Sequence, residues 1–193
     1  MEGDAQLWQE VLEALNRLST AHTYRMRTGP VVVEVDQRSS PPSSRMVVSS
    51  GGVQTEIVQV GDQAWMLTAG ICRLLPRQQS AAMAPTRPPR PQDITGVVRI
   101  LGRTPGAHTT PRGEVRPVYV YEYESDVEQP GAGRVRARTR LSVDRETTLP
   151  LRMALEPLGA TPGSSTRPGT WEADFYDFGA DIRITVPPEC PRS

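Results

Sequence analysis

The strictest two-residue alternation in the chain lies between residues 134 and 144, and no other feature limits the possible folds as much. Small and aliphatic residues fall on one side, at Val135, Ala137, Thr139, Leu141 and Val143. Mostly charged residues fall on the other, at Arg134, Arg136, Arg138, Arg140 and Asp144. Successive side chains of a strand point to opposite faces, so this strand has one buried and one solvated face. Such strands are typical of antiparallel sheets covered on one side.

The clearest helix lies near the N-terminus. Apolar residues recur there every three or four positions, at Leu7, Trp8, Val11, Leu12, Leu15 and Leu18. This spacing places them in one stripe along a helix, and Asp4 is suited to cap its start. We therefore expect a helix over about residues 5–20.

Strands and turns fill most of the remaining chain. Residues 23–68 alternate in period two between glycine-containing turns, which predicts an antiparallel meander. The same pattern returns over residues 114–187, where the last two predicted strands are WEADFYDF and DIRITVP, separated by Gly179-Ala180. The predicted fold is therefore a single α+β domain over residues 1–193, with a large curved antiparallel sheet.

A helix and loop insertion is expected between these halves, over about residues 69–112. Four prolines between positions 85 and 91 exclude a helix interior and a central strand, so residues 69–92 are predicted to form an extended or mobile loop. Residues 94–101 fit a short amphipathic helix capped by Asp93 and stopped by Gly102, followed by a second turn-rich loop.

Composition and charge exclude several classes of protein. The 16 glycines and 19 prolines favour a turn-rich protein over a helical bundle. The 22 basic residues are all arginine and are balanced by 22 acidic residues. A net charge of zero removes the long-range attraction that nucleic-acid binding relies on, although a local basic patch stays open. No apolar run approaches the roughly 20 residues of a transmembrane helix.

The arginine row of residues 134–140 invites a phosphate-binding interpretation. Glu122, Glu124 and Glu156 lie on the neighbouring predicted strands, where they would pair with the arginines. A solvated, paired face is therefore favoured.

Catalytic and metal-binding patterns are poor. The chain has no G-x-S-x-G, G-x-x-x-x-G-K-[ST] or H-E-x-x-H motif. His22 and His108 have no partner at a recognisable spacing, and Asp174, Asp177 and Asp181 straddle strand faces and a turn. We expect no catalytic residue, no metal and no cofactor, and only a buried titratable cluster would revive an enzymatic function.

Two further features leave alternatives open. Cys72 and Cys190 are two free thiols or one disulfide, and an oxidising compartment would favour the bridge. The N-terminal MEGDAQLWQE lacks the basic and apolar regions of an export signal, so the chain is either cytosolic or an exported chain whose signal has been removed.

Four segments in order resemble the LolA/LolB-like lipoprotein carriers and their LppX/LprG-type and RseB-type relatives. They are ALNRLSTAHTYRMRT (residues 14–28), VQVGDQAWML (58–67), LSVDRETTLPLRM (141–153) and FYDFGADIRITVP (175–187). The resemblance implies a half-open β-barrel of about 11 strands, with helices over its concave apolar face and a cavity for acyl chains. The lipobox cysteine and signal of those lipoproteins are absent from this sequence, which leaves the anchoring mode open.

The resemblance implies a non-catalytic, cell-envelope lipid or lipoprotein carrier, exported to the periplasm or another extracytoplasmic compartment, and lipid-anchored in some full-length forms. Its partners would be a lipid or acylated lipoprotein and a membrane-bound donor or acceptor protein. The candidate cavity residues are Trp8, Leu12, Leu15, Tyr24, Met26, Val33, Met46, Val48, Trp65, Val97, Leu101, Leu141, Met153 and Phe175.

Each of these residues also has an ordinary structural explanation. Trp8, Leu12 and Leu15 could form a movable lid or simply pack on a core. A single methionine is more often core filling than a ligand contact. The alternative function is a protein-interaction or sensing module that uses the same sheet with a filled cavity.

Overall fold

In the part of the chain that the structure describes, the main elements are one long helix and eleven strands, with a short 3-10 turn at Pro91–Asp93. The computed structural model describes residues 2–79, 87–129, 133–158 and 170–190. The elements are α1 (Glu2–Thr20), β1 (Thr23–Thr28), β2 (Val31–Asp36), β3 (Ser43–Ser50), β4 (Val53–Val60), β5 (Gln63–Thr68), β6 (Ile71–Leu74), β7 (Ile94–Thr109), β8 (Val115–Gln129), β9 (Gly133–Asp144), β10 (Pro150–Pro157) and β11 (Trp171–Tyr176). In this described part, no helix has the length and apolar character needed to cross a membrane.

The strands form one sheet in the order β6-β5-β4-β3-β2-β1-β11-β10-β9-β8-β7. The strand pairs with a defined register run antiparallel. Since β6 and β7 stand at the two ends of this order, the sheet of the described residues is open. The predicted α+β class, with an open antiparallel sheet of about eleven strands, is confirmed.

The chain divides into two compact units. Unit 1 comprises Met1–Thr20 and Pro88–Asp174, and unit 2 comprises Ala21–Arg87 and Phe175–Ser193. The assignment of residues 1–193 to a single domain stays a prediction.

Unit 1 contains α1 and most of the long strands. The alternation predicted for β9 is confirmed, because Ala137, Thr139, Leu141 and Val143 are buried while the arginines between them are half-buried or exposed. Three of the four arginines of this row pair with β8, and of the expected carboxylate partners Glu124 is the one used. Arg138 donates to Glu124 at 2.8 Å, and Arg134 and Arg136 both donate to Asp126, at 2.7 and 2.9 Å.

Unit 2 contains a meander of six consecutive strands, β1 to β6. It also contains the C-terminal residues from Phe175 onwards. Its hairpins use tight turns, and Gly51 and Gly52 between β3 and β4 both have positive φ, at 57° and 78°. A positive φ is accessible to glycine without steric cost, so these two residues let β4 return directly along β3.

The helix predicted over residues 94–101 is wrong, because this segment is the first half of β7. The pairing of β7 with β8 shifts register at Ile94/Gly96, Val97/Arg99 and Ile100/Gly102. Each shift inserts a residue into β7, so its apolar residues no longer alternate strictly. The resulting spacing imitates that of a helix.

Four further features differ from expectation. The predicted loop after residue 102 continues β7 to Thr109, and Pro105 is accommodated because β7 is an edge strand. Within the predicted loop of residues 69–92, Ile71–Leu74 form β6, while residues 80–86 lie outside the described part. The segment 181–187 is not a strand. α1 begins at Glu2, so Asp4 lies inside the helix and does not cap it.

Candidate functional site

The apolar stripe of α1 packs against the sheet of unit 1. Val11, Leu15 and Leu18 are at most 2% exposed. The ring of Trp8 meets the edge of Tyr123 on β8, with ring centroids 5.4 Å apart. On the sheet, Leu141 lies opposite Met153, and both are completely buried. The structure therefore brings Trp8, Leu15, Leu141 and Met153 into one closely filled layer.

Glu10 holds α1 to the sheet. The Tyr121 hydroxyl donates to Glu10 Oε2 at 2.7 Å, and Arg103 Nη1 donates to the same oxygen at 2.9 Å. Burial, followed by the hydrogen bond to Glu10, raises the pKa of Tyr121 to about 12. The phenol therefore stays protonated and remains a donor at ordinary pH.

A groove of about 510 Å³ lies between α1 and Pro91. Leu12 lines it together with Gln6, Gln9, Glu10, Glu13 and Asn16 of the helix. Five of these seven lining residues end in an amide or a carboxylate. An acyl chain in the groove would cover such groups without giving them hydrogen-bond partners, which costs free energy.

Five apolar side chains form a continuous row across unit 2. Directly opposite residues of antiparallel strands lie on the same face, and the register pairs Met26 with Val33, Val33 with Met46, Met46 with Ile57, and Ile57 with Met66. We call the side of β1–β5 that carries this row the methionine face. Met26, Val33 and Ile57 are buried, whereas Met46 and Met66 are half-buried.

Other predicted cavity residues border this row. Tyr24 is on the methionine face, with its ring 6.2 Å from Phe175 and 6.0 Å from Phe178 between centroids. Val48 is half-buried on the same face, towards the turn between β3 and β4. Of the candidates on β7, Leu101 is half-buried, and the side chain of Val97 lies outside the described part.

The register places Trp65 on the opposite side of the unit 2 sheet. Trp65 pairs with Val58 on β4 and with Leu74 on β6, so it faces away from Met46 and Met66. This second side also carries Arg25, which donates to Glu34 at 2.7 Å. Although it was grouped with the cavity residues, Trp65 does not meet the methionine row.

The segment of residues 177–190 crosses this second side, and we call it the C-terminal strap. It begins where Asp177 pairs with Arg25, and Thr23 Oγ1 donates to Ala180 O at 2.7 Å. It ends at a disulfide between Cys190 and Cys72 of β6, whose Cα atoms are 5.0 Å apart. The two cysteines are therefore bridged, which their spacing in the sequence left undecided.

Unit 1 contains a cluster of ionisable side chains that the sequence analysis does not predict. His108 Nε2, on β7, lies 3.5 Å from Asp174 Oδ1, and Arg152 Nη1 donates to the same oxygen at 3.2 Å. Burial is the main reason that the pKa of His108 falls below its usual 6.5, with Asp174 opposing this effect and Arg152 adding to it. No short motif signals this contact, because it joins β7 to β11.

The three aspartates considered as cation ligands take separate basic partners. Asp174 pairs with Arg152, Asp177 with Arg25, and Asp181 with Arg183. Among the described residues, no three His, Cys, Asp or Glu side chains are grouped as metal ligands would be.

Comparisons with known proteins show no family for this chain. No family model matches the sequence, and no curated protein matches it. Among solved structures, the crystal structure of MucB in complex with MucA(peri) is similar, with 18% sequence identity and a TM-score of 0.33. The match covers 96% of this chain but 60% of that chain. So distant a likeness assigns no function to this protein.

Proposed function

We propose that this protein binds an apolar ligand, the acyl chain of a lipid or of an acylated lipoprotein, on the methionine face and carries out no covalent chemistry. The observation that carries the proposal is the pair of half-buried methionines, Met46 and Met66, on either side of the buried Ile57. Unbranched thioether side chains adapt to apolar partners of variable shape. Each acyl methylene that leaves water contributes about 0.8 kcal/mol.

The rest of the methionine face suits such a ligand. Val31 and Val48 lie opposite each other beyond the methionine row, followed by Thr55 and Thr68 on β4 and β5. All four residues belong to strands, and each of their side chains is half-buried. This arrangement offers aliphatic contact in the middle of the face and hydroxyl groups at its margin.

An extracytoplasmic location is part of the proposal. The disulfide between Cys72 and Cys190 supports it, because such bonds persist in oxidising compartments. The resemblance of four sequence segments to the LolA/LolB-like carriers agrees with this location and with an acyl ligand. A carrier of this kind would exchange its ligand with a membrane-bound donor or acceptor.

The non-catalytic part of the proposal is supported by the surroundings of His108. Its charged neighbours Asp174 and Arg152 are hydrogen-bonded to each other, as in a structural ion cluster. Arg152 also donates to Glu172 at 2.6 Å. Both carboxylates of the cluster are therefore paired with Arg152.

The proposal is tested by native mass spectrometry of the purified protein, followed by extraction and lipid analysis of any bound molecule. Uptake of a fluorescent fatty acid is then measured for Met46→Gln and for Val47→Gln. Met46 and Val47 are adjacent on β3, both half-buried, and point to opposite faces. We expect Met46→Gln to weaken uptake and Val47→Gln to leave it unchanged.

Stoichiometric co-purifying lipid, together with this difference between the two variants, would support the proposal. A protein that purifies without lipid and takes up no fatty acid would overturn it. Equal effects of both variants would also overturn the assignment of the ligand to the methionine face.

A second candidate is a protein-interaction or sensing module. The filled layer beneath α1 in unit 1 favours it, because Leu15, Leu141 and Met153 are completely buried without a ligand. The fatty-acid measurement separates the two functions, since an interaction module with a filled interior takes up no acyl chain.

A further inference from the structure

Three hairpin turns of unit 2 lie at the same end of its strands. They join β1 to β2, β3 to β4, and β5 to β6, and alternate turns of an antiparallel meander fall on one end. We call residues 28–31, 49–54 and 68–71 the uncharged rim. Their sequences are TGPV, SSGGVQ and TAGI, which contain no Asp, Glu, Lys or Arg.

The other end of the same strands is charged. Asp36, the last residue of β2, pairs with Arg38 just after the strand, and Asp62, in the turn between β4 and β5, pairs with Arg77. Charged residues make up 23% of the chain, so their absence from all three turns of one end gives unit 2 a marked polarity along its strands.

Two apolar side chains project from the uncharged rim. Ile71 is 74% exposed and Val53 is 52% exposed. The register pairs Ile71 with Thr68 and Val53 with Ser50, so both lie on the methionine face. The exposed apolar surface of the rim is therefore continuous with the proposed ligand site.

Basic side chains stand just behind the rim. Arg27 on β1 and Arg73 on β6 are both exposed, and each lies within two residues of a rim segment. The carboxylate nearest the rim in sequence, Glu56, lies on the same side of the sheet as Arg27 and opposite to Arg73. Its charge is paired by a 2.7 Å hydrogen bond from Arg45. Arginine side chains in this position reach the phosphates of lipid headgroups while apolar residues enter the acyl region.

We propose that the uncharged rim is a membrane-contacting surface, which places Val53 and Ile71 at the boundary between headgroups and acyl chains of a bilayer. The inference rests on the proposed function and deepens it. A ligand would pass from the bilayer along the rim to the methionine face. Apolar tips without charge, followed by arginines, match the layers of a lipid surface.

The test is flotation of the protein with phosphatidylcholine vesicles at low and high salt. Binding is expected to depend little on salt, because the contact is mainly apolar. Val53→Asp and Ile71→Asp are each expected to weaken vesicle binding by about tenfold, because a charge replaces an aliphatic side chain that leaves water when the rim enters the bilayer.

Val115→Asp is the matched control. Val115 is 68% exposed at the turn between β7 and β8, but this turn carries Arg112 and Glu114. The control is expected to bind vesicles as the wild type does. Thermal unfolding of all three variants checks that each one is folded.

Loss of vesicle binding in both rim variants but not in the control would support the proposal. Absence of wild-type binding, or equal binding by all variants, would overturn it. A further outcome would also overturn it: a wild-type protein that binds no vesicles but forms a dimer, which Ile71→Asp dissociates. The rim would then contact a second copy of the chain. Uptake of a monomeric fatty acid is measured separately. If the protein binds vesicles but takes up no fatty acid, the ligand site on the methionine face is overturned and the membrane-contacting rim is not.

Discussion

At the level of single side chains, Glu10 joins α1 to the sheet of unit 1 through two donors. Glu10→Ala would leave the buried Tyr121 hydroxyl and Arg103 without their shared acceptor. We expect the free energy of unfolding to fall by about 1–3 kcal/mol, measured by urea denaturation.

Glu13 provides the control on the same helix. Its side chain is 55% exposed and pairs with Arg17 one turn away. Exposed pairs of this kind contribute little, so Glu13→Ala is expected to change stability by less than about 0.5 kcal/mol. Equal losses in the two variants would contradict the role given to Glu10.

His108 is expected to make stability depend on pH. Because its folded-state pKa lies below 6.5, the unfolded chain binds a proton in a range where the folded protein does not. The stability is therefore complete above pH 6.5 and is lost as the pH falls through the lower folded-state pKa. His108→Gln removes this titration, so its melting temperature should decline less between about pH 7.5 and pH 5.5. A decline as steep as that of the wild type would count against the buried histidine.

At the scale of secondary-structure elements, β7 depends on a glycine at its last register shift. Gly102 has a φ of 146°, a conformation that side chains with a Cβ atom rarely adopt. Gly102→Ala should therefore lower the free energy of unfolding by about 1–3 kcal/mol in chemical denaturation.

Gly106, on the same strand, is the comparison. Its φ is not positive, and an added Cβ would lie 3.6 Å from Val120 and 3.7 Å from Val118, which is ordinary contact. Gly106→Ala should be neutral or stabilise by up to about 1 kcal/mol, since alanine restricts the unfolded chain. Destabilisation by both changes to the same extent would argue against backbone strain at Gly102.

The elements also show which patterns are readable from the sequence. β9 was predicted because Leu141 and its alternate neighbours keep a strict period of two over an unbroken register. β7 was not, because three register shifts change which residues share a face. The segment after Gly179 looked like a strand because Ile182 and Ile184 alternate with polar residues, but it crosses a sheet face as the strap.

The candidate site was predictable only in part, for a related reason. Met26, Val33 and Met46 lie side by side, because adjacent strands of a meander pair in an order that the sequence shows, whereas their role in ligand binding stays a prediction. Trp65 was grouped with them because it is hydrophobic. The strand register places it on the other side of the sheet, and a one-residue change of register would move every side chain of the strand to the opposite face. The contact of His108 with Asp174 depends on tertiary structure, which local spacing does not encode.

At the scale of the whole molecule, the disulfide is expected to contribute strongly to stability. It links residues 118 apart, so breaking it releases a long closed loop in the unfolded chain. The double variant Cys72→Ser/Cys190→Ser should lose about 2–4 kcal/mol in urea unfolding. Trp65, which lies 3% exposed on the side the strap crosses, should show red-shifted fluorescence if the strap detaches.

Reductant supplies the control for this prediction. It should lower the unfolding midpoint of the wild type and have no effect on the double serine variant. An equal response of both proteins would show that the reductant acts elsewhere.

The position of the disulfide also has a consequence for biosynthesis. Cys190 emerges long after Cys72, so β7 to β11 must leave the ribosome or export channel before the bond closes. During that interval β6 carries a free thiol at the edge of a growing sheet. Since this sequence has two cysteines, no wrong pairing exists within one molecule, and any disulfide that Cys72 forms before Cys190 emerges joins it to another molecule. The time between the emergence of the two cysteines is therefore the period in which Cys72 is open to intermolecular oxidation.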